Sequence, residues 1–154
     1  YGVTTTRALA FKDTGLIEKV DFVNPFTEQK CTAYVLTKEG KHFVETRLGH
    51  DHFYRSNSIP HDFVKAEFYC FKLEDYQREH YMNANEFTEH FKHTMGTYYD
   101  KEKYSMLDGA YPSDRTLTTF VAHDVITESY SKDDEDAKEA ACSAVGMKFE
   151  KILM

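Results

Sequence analysis

The order of apolar and polar positions changes at about residue 82. Before that point, apolar and polar residues alternate in short runs, which is the period of half-buried β-strands. After it, apolar residues recur every three or four positions in two stretches, which is the period of amphipathic helices. The change predicts an α+β fold, in which an antiparallel β-meander over 1–82 precedes an α-β-β-β-α module over 83–154.

The first half contains five runs that fit strands. In one of them, Cys31, Ala33 and Val35 share one face of an extended chain. The sequence Lys38-Glu39-Gly40 predicts a hairpin turn, and the polar stretch 50–62 predicts a loop. The predicted strands are 7–11, 16–23, 30–37, 42–48 and 63–73.

The second half begins with a predicted helix that Asn83 or Asn85 caps and that runs to about Met95. Strands are predicted over 104–107, 116–126 and 128–131, with a turn region over 109–114. A final helix is predicted over 133–153, where Ser131 is a suitable N-cap and acids fill the first turn. Its apolar stripe consists of Ala137, Ala141, Val145, Phe149 and Ile152.

Composition limits the classes of partner. The chain has 154 residues and a net charge of -7, so it has no long-range attraction for phosphate backbones or anionic membranes. Its three cysteines are far apart and odd in number, which disfavours a disulfide framework and favours a reduced, intracellular compartment: the cytoplasm, the nucleus or an organelle. No apolar run approaches the roughly 20 residues that cross a bilayer. We therefore expect no membrane association.

Three stretches of the second half resemble the double-stranded RNA-binding domain family. Phe87-Thr88-Glu89 is similar to the Leu-x-Glu signature of that family's first helix. Tyr111-Pro112-Ser113-Asp114 stands where the family has Gly-Pro-x-His, and Ala137-Lys138-Glu139-Ala140-Ala141 is similar to the Ala-Lys-x-x-Ala core of its last helix. The resemblance covers a little under half of the chain, and it implies the α-β-β-β-α fold for residues 83–154.

Departures from the family pattern change the implied function. Asp134 and Glu135 occupy the places of two phosphate-binding lysines, Asp114 replaces the histidine, and only Lys138 is retained. Residues 83–154 contain 14 acids and 8 bases, so contact with a phosphate backbone would be repulsive. The resemblance implies a degenerate, non-catalytic docking or dimerisation module of an RNA-associated assembly, which binds a protein partner or a second copy and contacts RNA weakly or indirectly. Its expected interaction residues are Phe87, Glu89, Lys138, Ala141, Val145 and Phe149.

Histidines are the remaining candidates for chemistry. His50 and His52 would share one face of a strand and are weak candidates for a metal site, although surface histidines in a polar loop explain them more simply. His123-Asp124 together with a serine or Cys142 lacks the surrounding motif of a nucleophilic site. The sequence therefore indicates no catalytic residues, no metal and no cofactor.

A second hypothesis comes from the aromatic residues, which include 11 Tyr and 12 Phe. In it, one curved sheet encloses a small-molecule cavity, and the protein is an α+β barrel that binds its ligand or acts as a cofactor-free lyase or isomerase. His50, His52 or His123 would be the acid or base. The two hypotheses differ in whether the halves share one sheet or form separate modules.

Overall fold

The computed structural model describes residues 5–49, 56, 58–101 and 103–154. The chain forms two compact units, Tyr1–Pro60 and His61–Met154, called unit 1 and unit 2 below. The described strands form two separate sheets, one of two strands and one of four. The predicted α+β class is confirmed.

Unit 1 is built on an antiparallel hairpin. Strands β1 (Ile17–Val23) and β2 (Lys30–Leu36) pair from Ile17 opposite Leu36 to Val23 opposite Lys30, so the strands predicted over 16–23 and 30–37 are confirmed. Asn24 fixes the turn, because its side chain accepts a 2.8 Å hydrogen bond from the Phe26 N–H. Helix α1 (Thr5–Asp13) precedes the hairpin and helix α2 (Lys38–Leu48) follows it.

The strands predicted over 7–11 and 42–48 are wrong, because these residues belong to α1 and α2. Capping explains α2. The Thr37 hydroxyl accepts a 3.0 Å hydrogen bond from the Gly40 N–H, and Gly49 ends the helix with a φ of 66°. The supposed turn at Gly40 is the first turn of this helix. A Cβ at Gly40 would collide with the Leu16 carbonyl, so glycine is required there for close packing and not for a hairpin.

The strand predicted over 63–73 is also wrong, because it lies in helix α3 (Ile59–Phe71). Apolar residues occupy both faces of this run, and a run of that kind fits a central strand and a helix equally well. Pro60 stands in the first helical turn, where its missing N–H costs nothing. Helix α4 (Asp75–Glu79) follows.

Unit 2 is built on a mixed sheet in the order β3-β4-β5-β6. Strands β3 (Met82–Asn83), β4 (Gly109–Pro112) and β5 (Phe120–Ile126) are antiparallel, and β6 (Lys148–Leu153) is parallel to β5. Helix α5 (Ala84–Met95) connects β3 to β4, and helix α6 (Lys132–Ala144) connects β5 to β6. The core residues are Phe87, Phe91, Leu107, Ala110, Ala122, Ala141, Cys142 and Met147.

Several predictions for the second half are confirmed. Helix α5 begins at the predicted cap, where the Asn83 side chain accepts hydrogen bonds from the N–H groups of Asn85 and Glu86. The β-branched run predicted as a strand over 116–126 contains β5. Helix α6 begins with a capping box between Ser131 and Asp134.

The predicted α-β-β-β-α order is not observed, because the elements of 84–154 follow the order α5-β4-β5-α6-β6. Residues 104–107 and 128–131 form no strand, whereas the predicted turn region contains β4. The final helix stops at Ala144 because Gly146 adopts a φ of 72° and Met147 N–H turns back to the Cys142 carbonyl at 2.9 Å. The last turns that the sequence predicts for this helix form the parallel strand β6 instead. None of the helices that the structure describes has the length and apolar character needed to cross a membrane.

Candidate functional sites

An apolar groove lies on one face of unit 1. Its floor is the face of the hairpin that carries Ile17, Tyr34 and Leu36, and its walls come from α1 and α2. The cavity volume is about 800 Å³. The polar groups at one end satisfy each other, since Asp21 pairs with Lys19 at 3.3 Å and accepts a 2.7 Å hydrogen bond from Thr32.

The walls of the groove are open to solvent. Phe11 of α1 is 53% exposed, and Phe43 and Leu48 of α2 are 43% and 59% exposed. Ala8 is the buried wall residue that brings α1 close to the hairpin. Large apolar side chains that share an exposed concave surface are typical of binding sites.

A polar cluster lies inside unit 2 and consists of His61, Lys65, Asp108, His123, Asp124 and Lys138. Asp108 is its centre and is 6% exposed. Its carboxylate lies 3.0 Å from His61 Nε2 and 3.4 Å from Lys65 Nζ, and it accepts a 3.0 Å hydrogen bond from the Val125 N–H. These contacts join α3 to the segment before β4 and to β5.

Beside Asp108, His123 is fully buried on β5. Its Nε2 lies 2.8 Å from the Tyr81 hydroxyl, and its ring packs against Phe68 with centroids 4.8 Å apart. Gly109 makes room for this contact, because a Cβ there would collide with the Tyr81 hydroxyl. The Nδ1 atom of His123 has no hydrogen-bond partner in the described part of the chain.

The third part of the cluster is the ion pair of Asp124 and Lys138. Lys138 Nζ lies 3.0 Å from an Asp124 carboxylate oxygen and donates a 2.8 Å hydrogen bond to the Met106 carbonyl. The ammonium also lies 5.1 Å from the centre of the Tyr130 ring, within the range of a cation–π interaction. Lys138 therefore fastens α6 to the segment before β4 and to β5.

Burial favours the neutral form of each group in the cluster, whereas pairing with an opposite charge favours its charged form, so the two effects shift the pKa values in opposite directions. The hydrogen bond to Asp108 raises the pKa of His61 to about 9, with a smaller effect of Asp62. Burial alone would raise the pKa of Asp108, but His61, Lys65 and the Val125 N–H together lower it. Burial lowers the pKa of His123 to about 4, so its ring is neutral at pH 7. Burial also raises the pKa of Asp124, and Lys138 opposes that effect.

An imidazole beside a carboxylate is the basic part of an acid–base site, so His61 and Asp108 have suitable chemistry for proton transfer. Their geometry favours a structural role. Both oxygens of Asp108 are within contact distance of groups of the same chain, and its side chain is 8% exposed. In the described ranges, no three side chains of His, Cys, Asp or Glu are placed to hold a metal ion.

The expected interaction residues occupy different environments. Phe87 and Ala141 are fully buried in the core, and Lys138 is 4% exposed inside the polar cluster. Val145 and Phe149 are half-buried against the core. Glu89 is exposed and pairs with Lys92 at 2.9 Å. Apart from Glu89, these residues therefore contribute to the interior of unit 2. His50 and His52 lie outside the described residues.

Neither the polar cluster of unit 2 nor the groove of unit 1 could be predicted from the sequence pattern, for different reasons. His61 and Asp108 are 47 positions apart, and no local motif connects them. The alternation of β2 indicates two faces of a strand but not which face stays uncovered. The groove walls come from α1 and α2, and the sequence pattern predicts strands at both places.

The chain matches no family model, and comparison with curated proteins and with solved structures found no significant match.

Proposed function

We propose that the chain is a non-catalytic docking module, and that the groove of unit 1 binds an amphipathic helix of a partner protein. The observation that carries the proposal is the exposure of Phe11, Phe43 and Leu48, which line one apolar groove. Burying side chains of this size stabilises a complex by about 1.5–3 kcal/mol each before the costs of association.

The openness of the groove favours a macromolecular partner. Small-molecule sites usually bury most of the ligand surface, whereas the walls of this groove are about half exposed. A helix that places its apolar face on the hairpin between α1 and α2 would cover all three side chains, as in other complexes of a helix in a groove.

Association with RNA is the part of the proposal that rests on the sequence resemblance alone. The acidic residues support a docking role over direct RNA binding. Unit 2 contains 11 basic and 19 acidic residues, so it would repel a phosphate backbone. Asp134 and Glu135 also serve the fold, because Asp134 caps α6 and Glu135 pairs with Lys151.

The test compares proteins captured from native lysate by three forms of the full chain. Phe43→Ser removes an aromatic wall of the groove. Phe26→Ser is the matched control, because Phe26 is 53% exposed in the hairpin turn and does not line the groove. We expect a partner that the wild type and Phe26→Ser retain and that Phe43→Ser loses by tenfold or more. Equal capture by all three forms would contradict the proposal.

A further inference from the structure

Strand β6 forms one edge of the four-stranded sheet in the described part of the chain. The Met154 N–H donates a 3.0 Å hydrogen bond to the Ile126 carbonyl of β5. Backbone groups alternate in direction along a strand, so the N–H and C=O groups of Phe149, Lys151 and Leu153 point away from β5. A row of this kind is a template for another strand.

Side chains along this strand are exposed to solvent. Leu153 is 70% exposed, and Lys148 and Lys151 are also exposed. Charged side chains on an edge strand normally oppose pairing with another chain. In β6 the order of positive and negative side chains instead favours pairing with one partner, β6 of a second copy, because opposite charges can then face each other.

Two copies of an edge strand that pair antiparallel are related by a two-fold axis, and one residue then faces its own copy. With Phe149 at the axis, the two phenylalanines face each other. Lys148 then lies opposite Glu150 of the second copy, and Glu150 opposite Lys148 of the second copy. An axis at Glu150 or at Lys151 would place like charges opposite each other, and an axis at Ile152 would pair no opposite charges. The register centred on Phe149 is therefore the one in which opposite charges face each other.

The backbone is compatible with this register. The backbone N–H and C=O of Phe149 point away from β5, so the facing pair can exchange two N–H···O=C hydrogen bonds. The Lys151 N–H also points outward and would meet the Met147 carbonyl of the second copy. The Met147 N–H is already bonded to Cys142, so only its carbonyl is required.

We propose that the protein forms a homodimer through antiparallel pairing of β6 with β6 of a second copy, centred on Phe149. The two four-stranded sheets become one sheet of eight strands. This interface is separate from the groove of unit 1 and does not depend on the proposed partner there.

The register is tested by exchanging the charges of Lys148 and Glu150 and measuring the dimer dissociation constant of the full chain by sedimentation equilibrium. Lys148→Glu places two pairs of like charges across the interface, and we expect the dimer dissociation constant to rise about tenfold. Glu150→Lys should act in the same direction, and the double variant with both changes should recover most of the affinity. Because the Glu150 carboxylate also accepts a hydrogen bond from the Tyr111 hydroxyl, Tyr111→Phe measures what the loss of that bond alone contributes. Lys132→Glu is the control, since it makes the same change of charge at an exposed position outside β6.

Circular dichroism verifies that each variant is folded. A wild-type protein that stays monomeric at every accessible concentration would overturn the proposal. A dimer that Lys148→Glu leaves unchanged, or that the double variant fails to recover, would also overturn it.

Discussion

Asp108 is a single residue that joins three segments of unit 2. It connects α3 to β5 through His61, Lys65 and the Val125 N–H. A buried carboxylate is stable only when such partners compensate for the water that it loses. The partners come from distant parts of the sequence, which explains why the residue pattern around Asp108 gives no sign of its role.

Replacing Asp108 with asparagine should destabilise the protein. The change removes the carboxylate charge that pairs with both His61 and Lys65 in a largely buried site, and we expect a loss of about 3 kcal/mol in the free energy of unfolding. Urea denaturation measures it. Asp136→Asn on the exposed side of α6 is the control and should change stability by less than about 0.5 kcal/mol. A similar small effect for Asp108→Asn would contradict the structural role of the cluster.

The pKa of His61 predicts a loss of stability in alkaline solution. Its pKa rises from 6.5 to about 9 because of the hydrogen bond to Asp108. Folding therefore favours the protonated ring, and this stabilisation is complete below pH 6.5 and disappears as the pH rises through about 9. We expect the free energy of unfolding to decrease over this window by at most about 3 kcal/mol.

Urea denaturation of the wild type and of His61→Asn across this window is the measurement. The variant has no titrating imidazole at this position, so its stability should vary less. If both proteins lose stability equally, His61 is not the group responsible.

At the scale of elements, local chemistry predicts where helices begin better than where they end. The caps at Asn83 and Ser131 are sequence-local, and both are observed. The end of α6 depends on Gly146, which stands inside an apolar stripe that continues with helical spacing to Phe149. The sequence pattern alone cannot exclude the longer helix, because Phe149 has apolar neighbours in both conformations. Pairing with β5 decides between them.

Gly146 offers a test of this ending. Its φ of 72° favours glycine, and a Cβ at this position would meet no other atom. Gly146→Ala should therefore reduce stability by about 1 kcal/mol through backbone strain alone. Gly146→Asn should cost less, since asparagine tolerates the left-handed region. Thermal unfolding of the two variants measures the difference, and an alanine variant as stable as the wild type would contradict this ending of the helix.

At the scale of the whole molecule, the strands of the described residues form two separate sheets, and neither the predicted meander nor one curved sheet around a cavity is observed among them. The change of hydrophobic period in the sequence correctly indicates a mixed α+β chain. The sequence does not reveal that α2 and α3 are helices, because their aromatic and β-branched residues fit both periods. The groove exists only because α2 is a helix, so it could not be predicted once that segment was interpreted as a strand.

The charge of unit 2 predicts the behaviour of the full chain toward nucleic acid. We expect no specific binding to a labelled RNA duplex in fluorescence anisotropy, even at low salt, because the 19 acidic and 11 basic residues of unit 2 would repel a phosphate backbone. Tight binding that weakens steeply as salt increases would contradict the docking role and restore direct RNA recognition.

Photo-crosslinking from the groove tests the central claim most directly. A photoreactive amino acid in place of Phe43 should crosslink in cells to one partner protein, within a segment that has the spacing of an amphipathic helix. The same substitution at Phe26 should not capture that partner. Three results would contradict the claim that the groove binds a partner helix. These are no crosslink at position 43, the same crosslinks at positions 43 and 26, and crosslinks from the groove to this same chain.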